Sequence, residues 1–122
     1  MKDFWNERYA DKDYVYGQAP NEYFKEKIDE MRPGKILLPA EGEGRNAVYA
    51  ALQQWEVSAF DISEKGKEKA LNLANNQSVE IDYKVGDLPE LDYKDEQFDV
   101  IALIFAHFSE EEKTILRTLK SY

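Results

Sequence analysis

The stretch Ile36-Leu37-Leu38-Pro39-Ala40-Glu41-Gly42-Glu43-Gly44-Arg45-Asn46-Ala47 constrains the fold of this chain more than any other. An apolar run stops at a glycine-rich turn, a helical pattern follows, and the next apolar run ends on Asp61. Strand, turn, helix, strand and acid in that order make a βαβ unit of the kind that holds a nucleotide. Gly-x-Gly-x-x-Ala also fits the dinucleotide fingerprint, so the glycines alone do not choose the ligand.

The rest of the chain extends this unit in both directions. Residues 3–10 and 21–31 carry helical spacing, with Asn21 as N-cap of the second segment and Phe24, Ile28 and Met31 on one face. Pro33-Gly34 closes this preface, residues 1–34, and leads into a core expected over 35–122 of a single domain. Strands are expected at Lys35–Pro39 and Val57–Phe60, with a helix from Arg45 to about Gln54 between them. Ser63 caps a helix running to about Asn75, and Val79–Val85 alternates as a third strand. Gly86 to Gln97 reads as a connector, and Phe98–Phe105 as a fourth strand apolar enough to be buried on both faces. Ser109-Glu110-Glu111-Glu112 is a capping box that opens a last helix.

Alternating strands and helices predict an α/β Rossmann-like sandwich with a mostly parallel sheet. Right-handed crossovers with a switch at the first strand give the order 3-2-1-4. The fourth, most apolar strand then lies at an edge, where bare backbone groups pair readily with another chain. Either further strands continue the sheet, or a second copy covers that edge as a homodimer.

Charge narrows the ligand. Glu41 and Glu43 flank Gly42, where a dinucleotide would place its pyrophosphate. Two like charges about 4 Å apart repel by about 4 kcal/mol at an effective dielectric of 20. S-adenosylmethionine instead brings a sulfonium and an ammonium to such a turn, and carboxylates there help it. Net charge is −9, from 16 basic and 25 acidic residues, which argues against a nucleic-acid backbone as partner. Lys65, Lys67 and Lys69 are interleaved with Glu64 and Glu68 and read as a solvated helix face. No run approaches the roughly 18 apolar residues of a membrane span, and the N-terminus lacks the apolar stretch of a signal peptide. With no cysteine and one histidine, disulfides, thiolate metal sites and cysteine nucleophiles are excluded, and a cytoplasmic location is the default expectation.

The chain resembles the class I S-adenosylmethionine-dependent methyltransferases, and within them the small branch of tellurite-resistance and thiopurine methyltransferase-like proteins. Pro39 to Ala47 is similar to that branch's cofactor loop, Ala59-Phe60-Asp61-Ile62-Ser63 to its ribose segment, and Gly86-Asp87-Leu88 to its adenine turn. Phe98-Asp99-Val100-Ile101 resembles the family's fourth strand, and Phe4-Trp5-Asn6-Glu7-Arg8-Tyr9 the branch's N-terminal segment. The loop departs from the family pattern, with Leu38 in place of an acid and Ala40 in place of a glycine. The family sheet has seven strands, so the resemblance also implies a chain that lacks the last of them.

The resemblance implies methyl transfer to a small-molecule acceptor, with a soft sulfur, selenium or tellurium nucleophile suiting a chain that offers little base. A non-catalytic cofactor-binding module and a nicotinamide-linked enzyme are the alternatives. Gly42 and Gly44 would admit the cofactor to the backbone, or simply make the turn. Asp61 would accept the ribose hydroxyls, beside Ile62, or cap the following helix. Asp87 would take the adenine amino group with Leu88 on the ring, or be a plain turn residue. Glu41 is a candidate for the methionine ammonium, and Glu43 shares the turn with it. Arg45 and Asn46 face the same end of the sheet or only cap the first helical turn. Tyr16 and His107 are pocket-lining candidates, and Trp5, Tyr9 and Tyr14 form either a lid or an apolar belt. No catalytic residue and no metal ligand is assigned.

Overall fold

The computed structural model of the chain describes residues 2–10, 14, 17–88, 91–95, 97–103 and 110–119. Helices α1 (Lys2–Tyr9) and α2 (Glu22–Asp29) precede β1 (Lys35–Pro39), α3 (Arg45–Leu52), β2 (Glu56–Asp61), α4 (Glu64–Asn76), β3 (Asp82–Val85), β4 (Val100–Ile101) and α5 (Glu110–Leu119). The strands are parallel and ordered β3-β2-β1-β4, the Rossmann-like arrangement expected from the sequence.

Strand alternation explains two cores. Ile36 and Leu38 of β1 point to one face of the sheet, where Val57, Ala59 and Tyr83 meet Phe24 and Ile28 of α2 and the small residues Ala47, Ala50 and Ala70. Leu37 points to the other, with Phe60, Leu88, Phe98 and Leu116 and Leu119 of α5. Each large aliphatic or aromatic side chain among these contributes about 1.5–3 kcal/mol before the entropy of ordering is subtracted. Asn21 caps α2 as expected, accepting from Phe24 N–H at 2.9 Å, and Ser63 caps α4, accepting from Gly66 N–H at 3.0 Å.

Several expectations need correction. β3 begins three residues later than predicted, because Ser78 turns through a left-handed φ of 59° and Val79 N–H still bonds Ala74 carbonyl, closing α4. Met31 is not on the buried face of α2 but 41% exposed, since the helix ends at Asp29. Lys69 is not solvated, as described below. The fourth strand is shorter and wetter than its composition suggested. It pairs through Ile36↔Val100 and Leu37↔Ile101, its residues through Ala102 are half-buried, and Leu103 is 50% exposed. One face of an edge strand lies open beside α2, which a strand buried on both faces would not allow. The expected continuation to Phe105 and the Ser109 capping box fall outside the described residues, as do Tyr16 and His107.

Candidate cofactor site

All three loops singled out by the sequence sit at the carboxyl edge of the parallel sheet. Register places Pro39 beside Phe60 and Asp61 beside Val85, so the turn after β1, the acid ending β2 and the Gly86-Asp87-Leu88 segment are neighbours. Gly86 N–H bonds the Asp61 carbonyl at 3.0 Å. Open parallel sheets bind ligands at this edge.

The turn winds through left-handed φ values at Ala40 (53°), Gly42 (63°) and Gly44 (90°). Ala40 holds such a φ despite its Cβ, at a cost of roughly 1–2 kcal/mol. The Gly42 N–H donates to Asp61 Oδ2 at 2.9 Å, and its carbonyl accepts from the Tyr83 hydroxyl at 2.5 Å. The other Asp61 oxygen accepts from Ser63 N–H at 3.1 Å. Burial pushes the Asp61 carboxyl up, opposed by these bonds and by one from Ile62 N–H. Each carboxylate oxygen has two acceptor positions, so Asp61 can take further hydroxyl donors while it holds the turn.

Glu41 serves α3. Gly44, at the N-cap, has no side chain to satisfy the helix, and the Glu41 carboxylate accepts from Ala47 N–H instead. The Asn46 side chain also donates to Glu41, while its oxygen accepts from Asn21 N–H at 2.7 Å. Asn46 thus clasps the preface to the turn. Arg45 reaches the Ala19 carbonyl at 3.4 Å and lies near Glu41.

Glu43 is turned the other way. Its carboxylate meets Lys69 Nζ at 2.7 Å, with both side chains largely buried at 5% and 12% exposure. Lys69 also lies over the Tyr14 ring, whose hydroxyl donates to the Lys69 carbonyl at 2.7 Å. The three residues bolt α4 and the N-terminal segment to the turn.

The glycines are bare for packing reasons. A Cβ at Gly44 would lie 2.5 Å from Ala70 Cβ, and one at Gly42 would lie 2.6 Å from the Tyr9 hydroxyl. The space a Cβ would need at each of these two glycines is therefore taken by protein, a packing reason for their bareness beside the backbone approach the sequence suggested. Tyr9 stacks on Trp5 at 5.4 Å, and Asn6 of the same helix accepts from the Ser63 hydroxyl at 2.6 Å, which seats α1 over the turn. Asp87 is exposed, one residue after the Gly86 that bonds Asp61, whereas Leu88 is 2% exposed within the second core.

Sequence reasoning missed Tyr83 and Lys69. Tyr83 follows the period-two pattern of an apolar strand face, and only the rule that a buried hydroxyl needs a partner marked it as more. Lys69 lies three residues after Gly66 and four before Leu73, on the buried stripe of α4, and that spacing was the available signal. Among the described residues, no group of acids or histidines could hold a metal, and no helix is long and apolar enough to cross a membrane.

An acid-bearing glycine turn at the carboxyl edge of a Rossmann-like sheet defines a nucleotide-cofactor domain. Within that class the chain belongs to the methyltransferase domain family, whose model matches residues 36–122. No protein of curated function matches it significantly. Among solved structures, one described for the conversion of a disulfide bond into a thioacetal group during echinomycin biosynthesis is 20% identical, with a TM-score of 0.82 over 98% of this chain and 56% of its own. A SAM-dependent methyltransferase from Thiobacillus denitrificans, in complex with S-adenosyl-L-homocysteine, is 20% identical with a TM-score of 0.70, over 88% of this chain and 47% of its own. A SAM dependent methyltransferase from Aquifex aeolicus is 15% identical with a TM-score of 0.68, over 80% of this chain and 58% of its own. The chain thus spans about half the length of the solved structures it matches.

Proposed function

We propose that the chain binds S-adenosylmethionine at the carboxyl edge of β1 and β2 and takes part in methyl transfer to a small-molecule acceptor. The observation that carries this reading is Asp61, held against Gly42 at the end of β2 in a chain of the methyltransferase family. The donor set fits the cofactor's charge: the three acids Glu41, Glu43 and Asp61 gather at one turn against two bases, Lys69 at 2.7 Å from Glu43 and Arg45 near Glu41. A pyrophosphate would find repulsion there.

The bound cofactor supplies an electrophilic methyl group. The chain's own work is to orient and to exclude water. Asp61 accepts the ribose hydroxyls, Asp87 takes the adenine amino group, and Glu41 faces the cationic end. Tyr83 and Glu43 hold the turn in shape, while Gly42, Gly44, Arg45, Asn46, Ile62 and Leu88 complete its frame. The resemblance to the tellurite-resistance and thiopurine branch favours a soft sulfur, selenium or tellurium acceptor, which needs little general-base help.

Calorimetric titration with S-adenosylhomocysteine, with NAD as control, tests the reading. Binding of the former alone is expected, and tighter binding of NAD would reverse it. Asp61→Asn should weaken binding by about 1–3 kcal/mol, since it removes charge-assisted bonds. Equal affinities in a variant that melts like the parent would move the ribose elsewhere.

A second copy is the proposed partner. Among the described residues β4 pairs only with β1, and beside its free edge a groove of about 430 Å³ between its α2-side face and α2 is lined by Tyr23, Phe24, Ile28, Met31, Val100 and Leu103, with Lys27 at its side. A two-fold axis would set β4 antiparallel to its own copy, burying both grooves. Sedimentation velocity should show a dimer that Leu103→Lys dissociates. A monomer at the highest attainable concentration would contradict this.

A further inference from the structure

We propose that Tyr83 is a positioning residue for ribose recognition, acting through the peptide groups of Gly42 on the Asp61 carboxylate. The inference rests on the reading of this site as one for S-adenosylmethionine, in which Asp61 accepts the ribose hydroxyls.

The phenol is out of keeping with its surroundings. Tyr83 is 4% exposed within the first core, where a phenylalanine would fill the same space. A buried hydroxyl costs free energy unless it is bonded. Its bond goes to the Gly42 carbonyl at 2.5 Å. Other elements crowd that carbonyl: a Cβ on Gly66 of α4 would lie 3.0 Å from it and 3.2 Å from the Tyr9 ring of α1. The hydroxyl of β3 therefore serves an oxygen that α4 and α1 help to bury.

Gly42 is held from both sides. Its N–H donates to Asp61 Oδ2 at 2.9 Å, so β2 grips the peptide group before its Cα and β3 the one after. Both grips matter because glycine, here at φ 63°, has many other conformations open to it. Asp61 depends on Gly42 in return. One carboxylate oxygen is fixed by Gly42 N–H and the other by Ser63 N–H at 3.1 Å. The last torsion of an aspartate is otherwise soft.

Without the Tyr83 hydroxyl, the Gly42–Glu43 peptide group turns toward other donors and draws Gly42 N–H off Asp61. The carboxylate then loses the orientation in which its remaining lone pairs meet two adjacent hydroxyls. A displacement of about 1 Å in a positioned group can cost about a hundredfold, and a partial loss of orientation should cost about five- to tenfold.

The test is a double-mutant cycle, read by calorimetric titration of the full chain with S-adenosylhomocysteine in the parent, Tyr83→Phe, Asp61→Asn and the double variant. Tyr83→Phe should weaken binding about five- to tenfold in the parent and less than about twofold beside Asp61→Asn. The 2′,3′-dideoxy analogue of the ligand gives a second readout. Tyr83→Phe should leave its affinity within about twofold of the parent's, whereas a merely structural role would weaken both ligands alike. No weakening in the parent, an equal factor in both backgrounds, or an equal factor for both ligands overturns the proposal and leaves the cofactor reading standing. If Tyr83→Phe does not fold in buffer, the cycle is run in trimethylamine N-oxide, which favours the folded chain without replacing the hydroxyl. A variant still unfolded there overturns the proposal too, because the hydroxyl would then serve the fold as a whole. Failure of the unaltered chain to bind S-adenosylhomocysteine overturns both readings.

Discussion

Gly44→Ala is expected to destabilise the chain by about 3–5 kcal/mol, a loss read by urea denaturation. Two effects add. The residue sits at φ 90°, where an L side chain costs about 1–2 kcal/mol. The new methyl would also lie 2.5 Å from Ala70 Cβ and 2.8 Å from Ala70 Cα, inside any real contact distance. Ala70 is fully buried and part of a helix backbone, so it can move away only by displacing α4 from the sheet. Gly17 provides the comparison: its φ is 78°, but nothing lies within 4 Å of an added Cβ, so Gly17→Ala should show the backbone cost alone. Ala70→Gly combined with Gly44→Ala should restore part of the loss. A Gly44→Ala chain within 1 kcal/mol of the parent would show that this glycine serves something other than the contact with α4.

Lys69→Met is expected to cost a similar amount, about 3–5 kcal/mol, because it leaves Glu43 buried without its cation. Replacing both partners, Lys69→Met with Glu43→Gln, should recover much of the loss, since the cost lies mainly in the stranded charge. The neighbouring pair Lys65–Glu68 spans 3.6 Å with both side chains more than half exposed, and Lys65→Met should change stability by less than about 0.5 kcal/mol. Thermal and urea melts of the four chains separate these outcomes. A Lys69→Met chain as stable as Lys65→Met would mean that the pair is solvated in practice. The cofactor loop would then hold its shape without α4.

The sheet order, the crossovers and the carboxyl-edge cluster were legible because they follow from hydrophobic period and from a turn whose chemistry is local. Asp61 was legible for the same reason: a strand that ends on an acid beside a glycine turn has few other geometries. What stayed hidden is long-range. Nothing near Glu43 in sequence says that it will face Lys69, 26 positions on, and nothing near Glu41 says that it will replace a missing cap on α3. Identical residue types, two positions apart in sequence, were sorted by packing into different tasks. In the apolar run that starts at Phe98, Phe98 itself is buried as expected, but residues 100–102 are half-buried and Leu103 is 50% exposed, because composition reports what a segment can bury and not what packs against it.

The strands differ in how firmly they are held. β1 meets β2 over five register pairs and β2 meets β3 over four, while β4 joins through two. Sheets open where the fewest bonds and contacts must be given up. Amide exchange will therefore run outward to inward, with β4 exchanging through frequent partial openings and the β1–β2 seam only through global unfolding. The glycine turn is sewn into that seam by Asp61 and Tyr83, so the half of the molecule that carries the proposed site keeps its shape through fluctuations that repeatedly free the opposite edge.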